Sequence, residues 1–600
     1  MADTEKYANV LVSWLRELGY THCFFVAGGN IMHLIDGIRD QMTCIPTVHE
    51  VAAGLATEAF NAAEGEGRAF ALVTAGPGMT NAVTALASAW LESRELLMLG
   101  GQVKTEDLNR GAIRQRGIQE VDGRDIAAPV SVASVRMETP MARHEVAALV
   151  EQGRTGRRGP VFLEICLDVT AAPVVRADLE AQPLPAPPAI PAPSADDIAQ
   201  VRALLEDAER PLLLLGGGLT RTTVRELLPA LRAAGIPFMT TWNGIDRVGS
   251  DEPLYLGRPN TWGQRSANVI MQSADLLVAL GTRLGLQQTG FNWQQFIPVG
   301  QVVQVDIDAA ELAKGHPRVD VPIEADANAL LAGILDGEPI ERPDWLAFGR
   351  HVREVLPIAE DGNEHREGYL DPFRFTLALA DLATADDVFI PCSSGGANSV
   401  SMQSWQQKAG QVIFADKGLA SMGIGLSSAM GAAFAHPSRR TIMIEGDGGF
   451  AQNLQELGTV AAHDVNLKIF LCVNEGYASI RTTQRNYFGG AYLGCDTKTG
   501  LGFPAWEPLF AAFGIPVQTL ADGWERDSAF LDAFGAPGPA AFIVPVDPEQ
   551  TYLPKITSRV TESGSMESNP LHMMSPELPD DVAADVLRHI VASGQVAQQR

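Results

Sequence analysis

The 600-residue sequence predicts an α/β chain of three doubly wound parallel-sheet domains. Short apolar runs alternate with alanine-rich helical patterns from Phe24-Phe25-Val26 to Val161-Phe162-Leu163-Glu164. They do so again from Leu212-Leu213-Leu214-Leu215 to Val302-Val303-Gln304-Val305. Such alternation belongs to βαβ units on a parallel sheet. A third unit is visible locally: Thr441-Ile442-Met443-Ile444 reads as a buried strand, residues 454–462 as a crossover helix, and residues 468–473 as the next strand. Length agrees, because 600 residues are too many for one core.

The breaks between units follow composition. The first domain is expected over 1–180. It ends at a proline- and alanine-rich linker around Pro183-Leu184-Pro185-Ala186-Pro187-Pro188, which suits an extended chain and cannot be helical. A middle domain is expected over 195–345, and a polar stretch at 359–371 separates it from a third over 370–548. From 549 to 600 the pattern weakens into a tail with Ser563-Gly564-Ser565 and a short helix from Asp580. Such a tail suits closure over a site, wrapping of a neighbour or plain surface packing.

Composition excludes several function classes. The net charge of −27 opposes general attraction to nucleic acid or anionic membranes, so an anionic substrate needs a local basic pocket. Cysteines 23, 44, 166, 392, 472 and 495 show no CxxC spacing and read as free thiols of a reducing compartment. The polar N-terminus and the lack of a membrane-length apolar run lead to the expectation of a soluble, cytoplasmic protein.

Chemistry is concentrated in Glu445-Gly446-Asp447-Gly448-Gly449 and, after a helix and a strand, Asn474-Glu475-Gly476. One βαβ unit places Asp447 and Asn474 at the carboxyl ends of two strands, where open α/β sheets bind ligands. Asp447, the Asn474 amide oxygen and a main-chain carbonyl near Gly476 are the hard oxygens that magnesium takes alongside substrate phosphates. Gly446, Gly448 and Gly449 let a phosphate approach the backbone closely.

Gly446-Asp447-Gly448 with Asn474 matches the thiamin-diphosphate (ThDP) motif, and the chain resembles the acetolactate synthase and pyruvate decarboxylase superfamily from end to end. Val48-His49-Glu50 followed by Ala52-Ala53, then Thr74-Ala75-Gly76-Pro77-Gly78-Met79-Thr80-Asn81, and Ser421-Met422-Gly423-Ile424-Gly425 fit the same family in order. The resemblance implies pyrimidine-binding, central FAD-type and diphosphate-binding domains. It also implies a homodimer or homotetramer whose active site lies at a dimer interface.

It implies roles for particular residues as well. Glu50 follows an apolar strand and opens an alanine-rich helix. The matching family glutamate hydrogen-bonds a pyrimidine nitrogen of ThDP and promotes proton removal from the thiazolium carbon, a task for a carboxyl in an apolar setting such as Val48, Val51 and Ala52 would give. Its plain alternative is a helix-start glutamate. Met422 corresponds to an apolar wedge beneath the cofactor, with a core methionine as the alternative. Thr80 and Asn81 border the pyrimidine and substrate, unless Asn81 is only a helix cap. Gln119 corresponds to a substrate-facing amide, but Ile118 stands where acetolactate synthases carry phenylalanine, which enlarges the donor pocket or alters its shape. Ala478 and Ile480 fall in the segment whose register faces the cofactor. Arg481 and Arg485, four apart, form a candidate receiver for a phosphorylated or nucleotide-linked acceptor, with a solvated helix face as the alternative.

In the middle domain Gly217, Gly218, Arg258, Gly281, Arg283 and Asp306 occupy places where acetolactate synthases contact FAD, which would be a bystander to non-redox chemistry. No adjacent histidine pair of the pyruvate decarboxylase type is present. The expected activity is therefore ThDP- and Mg2+-dependent decarboxylation of pyruvate or another 2-oxo acid, with transfer of the acyl unit to an aldehyde or ketone. The segments at 280–293 and 489–494 are most similar to the surface-polysaccharide and branched-sugar relatives, whose acceptor is a keto sugar. Acetolactate synthesis proper or simple decarboxylation is the enzymatic alternative. A non-catalytic assembly subunit is disfavoured by the presence of Glu50, Asp447 and Asn474.

Overall fold

The computed structural model describes residues 4–363, 366–560 and 566–591. Tail residues 563–565 and part of the polar break at 364–365 lie outside them. Three parallel sheets account for the strands of the catalytic frame. The first comprises β1 (Tyr20–Phe25), β2 (Thr43–Pro46), β3 (Arg68–Val73), β4 (Leu96–Gln102), β5 (Ala133–Met137) and β6 (Pro160–Cys166), in spatial order β2-β1-β3-β4-β6-β5. The middle sheet comprises β7 (Pro211–Leu215), β8 (Phe238–Thr240), β9 (Leu276–Leu280), β10 (Gln301–Asp306) and β11 (Val321–Glu324), in order β8-β7-β9-β10-β11.

The third sheet contains β12 (Val388–Ile390), β13 (Val412–Ile413), β14 (Thr441–Gly446), β15 (Leu467–Val473), β16 (Val517–Thr519) and β17 (Ala540–Pro545). Its order, β13-β12-β14-β15-β17-β16, repeats the winding of the first sheet. Central strand β9 is apolar along its whole length, and β15 is apolar except for buried Lys468, because helices cover both faces.

Helices α1 (Glu50–Ala63), α2 (Pro77–Leu91), α3 (Gly395–Ser404), α4 (Ile424–Ala435) and α5 (Ala478–Phe488) follow strands β2, β3, β12, β13 and β15. The first and third sheets share one core through α1 and α4: Phe24, Ala53, Ala56 and Phe60 pack with Leu426, Met430, Phe450 and Leu457. The two helices approach closely because their facing side chains are small. A Cβ on Gly431 would fall on the Ala56 carbonyl oxygen, well inside contact distance.

All three units meet at Glu92. Its carboxylate accepts from the Lys417 amide (2.6 Å), the Gly418 amide and Asn243 Nδ2 (2.6 Å). The tail packs on the middle unit of its own chain, with Leu571 and Val586 buried beside Leu212, Trp345 and Phe348. No helix among the described residues is long and apolar enough to cross a membrane.

Candidate active site

β14 and β15 lie side by side in parallel, with Gly446 opposite Cys472, so the turns that follow them share one crevice. Asp447 leaves β14 and is almost wholly buried. Its Oδ1 accepts from the Gly448 amide (2.7 Å), and its Oδ2 from the amides of Asn474 and Gly476, both at 3.1 Å. Burial pushes its pKa up to about 6, and the three amides pull the other way. The Asn474 side chain lies beside Tyr552, and its Oδ1 is buried with no hydrogen-bond partner. Buried polar atoms rarely stay unpaired. An orphaned amide oxygen beside a buried carboxyl is the donor chemistry of a hard divalent cation, so these residues fit Mg2+.

The crevice has components that the sequence reading missed. α3 begins at the end of β12, the neighbour of β14, and turns its N-terminal amides toward the same edge, a favourable place for phosphate. The Gly395-Gly396 pair after an apolar strand was the available signal. Tyr552 had none, since it arrives from beyond β17. Glu445 is buried with its carboxyl packed against Gly425 at the start of α4, and burial pushes its pKa up to about 8. It thereby ties β14 to the segment that carries Met422. Met422 itself is half-buried, belongs to none of the core clusters and receives Gln452 Nε2 at 3.7 Å on its sulfur.

In the first unit, Glu50 is the first residue of α1, and Asn81 Nδ2 donates to its Oε2 at 3.1 Å. Asn81 lies within α2, so it is not that helix's cap; Gly76 is. The turn before Glu50 is held from the third unit by Glu456, which accepts from the amides of Val48 (3.2 Å) and His49 (3.0 Å). Val48, expected to provide an apolar setting, is instead 55% exposed, because that turn points its side chain away from the shared core. Thr80 is exposed one residue before Asn81.

The Gln119 backbone packs against Gly76, whose φ of +65° opens the turn into α2. Gln119 itself sits at φ +62° in a loop organised by buried Glu120, which accepts from the amides of Asn109 (2.6 Å), Arg116 (2.8 Å) and Gly117 (3.0 Å). Ile118 projects from this loop, 86% exposed. Ala478 opens α5, with its amide on the Gly476 carbonyl at 3.0 Å, and Ile480 is exposed two residues later.

Residues 5–126 match the thiamine pyrophosphate enzyme N-terminal TPP binding domain, 198–334 the central domain and 394–544 the C-terminal TPP binding domain. The acetolactate synthase isozyme 2 large subunit of Escherichia coli (strain K12) is 30% identical over 576 residues, covering 93% of this chain and 99% of that one. This chain is a thiamin-diphosphate-dependent, acetolactate synthase-like enzyme. The isozyme 1 large subunit of the same organism is 29% identical across 92% of this chain and 95% of its own. Acetolactate synthase 1, chloroplastic, of Zea mays is 28% identical across 93% and 88%.

Two expectations change within this ThDP enzyme. Arg258 is fully buried, and all five of its N–H groups are taken: Nε by Met402 O (2.8 Å), Nη1 by Gln407 Oε1 (2.6 Å) and Tyr255 OH (3.4 Å), and Nη2 by Trp405 O (2.7 Å) and Gln403 O (3.2 Å). It bolts the middle unit to the third and has no donor left for a flavin. The Arg481 and Arg485 pair is split: Arg485 lies at the surface, whereas Arg481 is turned inward with its Nε unpartnered. Arg481 is buried and bonded to main-chain carbonyls, and Arg485 pairs with Glu549 at 2.9 Å.

The remaining flavin candidates stay together. Gly217 and Gly218 follow β7, Gly281 and Arg283 follow β9, and Asp306 ends β10, three adjacent strands of the middle sheet. Arg283 is exposed, and burial raises the Asp306 pKa. Beside them, buried Trp242 Nε1 and Asn243 Oδ1 lack partners, an unassigned pair whose burial no local motif announces.

Proposed function

We propose that the enzyme decarboxylates pyruvate or another 2-oxo acid and joins the acyl group to an aldehyde or ketone. The bond between carbonyl and carboxylate carbons breaks with release of CO2. A new bond forms to the acceptor carbonyl carbon, and its oxygen takes up a proton, giving a 2-hydroxy ketone. The observation that carries this reading is the unpartnered Asn474 Oδ1 beside buried Asp447. Asp447, Asn474 and the Gly476 carbonyl would hold Mg2+, and the glycines at 446, 448 and 449 with the start of α3 would receive the diphosphate. Bound there, ThDP would supply the electron sink for decarboxylation. Glu50 would hold a proton at a pyrimidine nitrogen, and Asn81 would orient its carboxyl. Met422 and Ile480 offer apolar contacts, and Gln119 an amide for the substrate.

The acceptor is read as an anionic keto sugar. Arg114 and Arg116 are exposed, form no ion pair in the described chain, and flank the Gln119 loop of a protein with net charge −27. They form the local basic surface that such an acceptor requires. Acetolactate formation from two pyruvates is the second reading, favoured by the coverage of the Escherichia coli relatives. Mass spectrometry of products formed from pyruvate alone, and from pyruvate with phosphorylated or nucleotide-linked keto sugars, separates the two. Acetolactate as sole product in every incubation would reject the sugar acceptor.

FAD is assigned to the carboxyl edge of the middle sheet, with Gly217, Gly218, Gly281, Arg283 and Asp306, supported by the orphaned atoms of Trp242 and Asn243. A homodimer is proposed, supported by the exposed apolar side chains Ile118, Ile480, Phe488 and Leu493 beside the catalytic loops. Six free cysteines support a reducing, cytoplasmic compartment.

A further inference from the structure

Three main-chain carbonyls converge on one guanidinium behind the metal loop. Arg481, 5% exposed on the first turns of α5, donates through Nη2 to Asn474 O (2.6 Å) and Pro548 O (3.0 Å), and through Nη1 to Glu475 O (3.3 Å). Two of these oxygens belong to the loop after β15, and the third to the segment after β17. That loop has a backbone that needs holding. Glu475 sits at φ +65°, where a side chain is disfavoured, and Gly476 at φ +135°.

The other edge of the same loop is gripped by Asp447, whose Oδ2 takes the amides of Asn474 and Gly476. Held by its N–H groups on one side and its carbonyls on the other, the loop leaves Asn474 Oδ1 buried and unpartnered. A carbonyl engaged by a guanidinium is withdrawn from a cation. The main-chain oxygens of Asn474 and Glu475 are therefore occupied, while the Asn474 side-chain oxygen remains available.

We infer that Arg481 is the positioning residue of the divalent-cation centre: its two-pronged hold on Asn474 O and Glu475 O sets the rotation of the loop and so aims the oxygens that bind the ion. Its planar fork suits carbonyls from separate segments in a way that a compact ammonium does not. This inference rests on the reading of Asp447 and Asn474 as metal ligands.

The test titrates Mn2+ and Mg2+ into the full chain with ThDP, following bound Mn2+ by electron paramagnetic resonance and ThDP by fluorescence quenching. Arg481→Met should weaken metal binding by about 10- to 100-fold, the range for groups that orient metal ligands. Arg481→Lys should lose less and show an altered Mn2+ spectrum. Unfolding of each variant without metal is measured in parallel. Wild-type affinity and spectrum in both variants overturn the inference, as does a fall in metal-free stability with unchanged affinity. If the Met variant does not fold, the Lys variant decides by the same criteria. Asp447→Ala serves as reference: metal affinity unchanged there rejects the site itself, whereas a loss there with wild-type behaviour at 481 rejects only the role of Arg481.

Discussion

Asn81 Nδ2 donates to Glu50 Oε2 at 3.1 Å, linking the first turn of α1 to the second turn of α2 across two strand ends of the first sheet. An asparagine five residues into α2 thereby orients the carboxyl assigned to proton handling. Glu50→Gln should retain ThDP yet slow deuterium exchange at the thiazolium carbon by about 100- to 10,000-fold, since an amide cannot accept and return the proton. Asn81→Ala should slow exchange less, because the carboxyl survives and only its orientation is lost. Exchange by NMR at the wild-type rate in Glu50→Gln would show that another group does this work.

The exposed Ile118 and its arginine neighbours separate donor from acceptor selection. Ile118→Phe should narrow accepted 2-oxo acids toward pyruvate, and Ile118→Ala should widen them toward longer chains. Arg114→Gln with Arg116→Gln should raise KM for a phosphorylated acceptor about tenfold or more, with the loss growing at low salt. Identical donor profiles across the Ile118 series would place that side chain outside the pocket.

Arg258 and the flavin can be tested apart. Arg258→Met removes five hydrogen bonds from a fully buried site and strands their acceptors, so it should lower stability by about 3 kcal/mol or more. FAD released on denaturation should be present in similar amount per folded chain, since Arg258 has no group facing a ligand. A colourless wild-type protein that added FAD does not stabilise would remove the flavin assignment.

A buried acid pair sets a pH dependence between the first and third units. The Ser88 hydroxyl is 2.6 Å from Glu58 Oε2 and closer still to Asp416 Oδ2. One hydroxyl proton cannot serve both carboxylates. Burial pushes the Glu58 pKa up to about 7, with Asp416 and Glu92 adding to the rise and Arg94 and Ser88 opposing it; Asp416 is raised as well. Lys417 is the further charged neighbour of Asp416.

The folded state thus binds more protons than the unfolded state between the ordinary Glu value of 4.5 and about 7, and this contribution to stability falls as pH rises through that window. Glu58→Gln removes the titration. The stability of wild type relative to this variant should drop by about 3 kcal/mol at most between pH 5 and 8. A pH-independent difference in urea unfolding would show that Glu58 does not titrate there.

Much of this enzyme is legible along the chain because its information is local. Asp447 and Asn474 are 27 residues apart, and a strand, a helix and a strand are enough to bring their turns to one sheet edge. That Glu50 and Met422 stand at the start of small-residue helices is legible for the same reason. What the tertiary structure alone decided is what each arginine does. Arg258 meets partners 144 to 149 residues away, and Arg481 meets Pro548 across 67. Most of those partners are main-chain carbonyls, which every residue carries and no sequence pattern marks. An arginine near a motif therefore looks the same whether it faces a phosphate or the backbone of another unit, and only the packing of the sheets distinguishes the two.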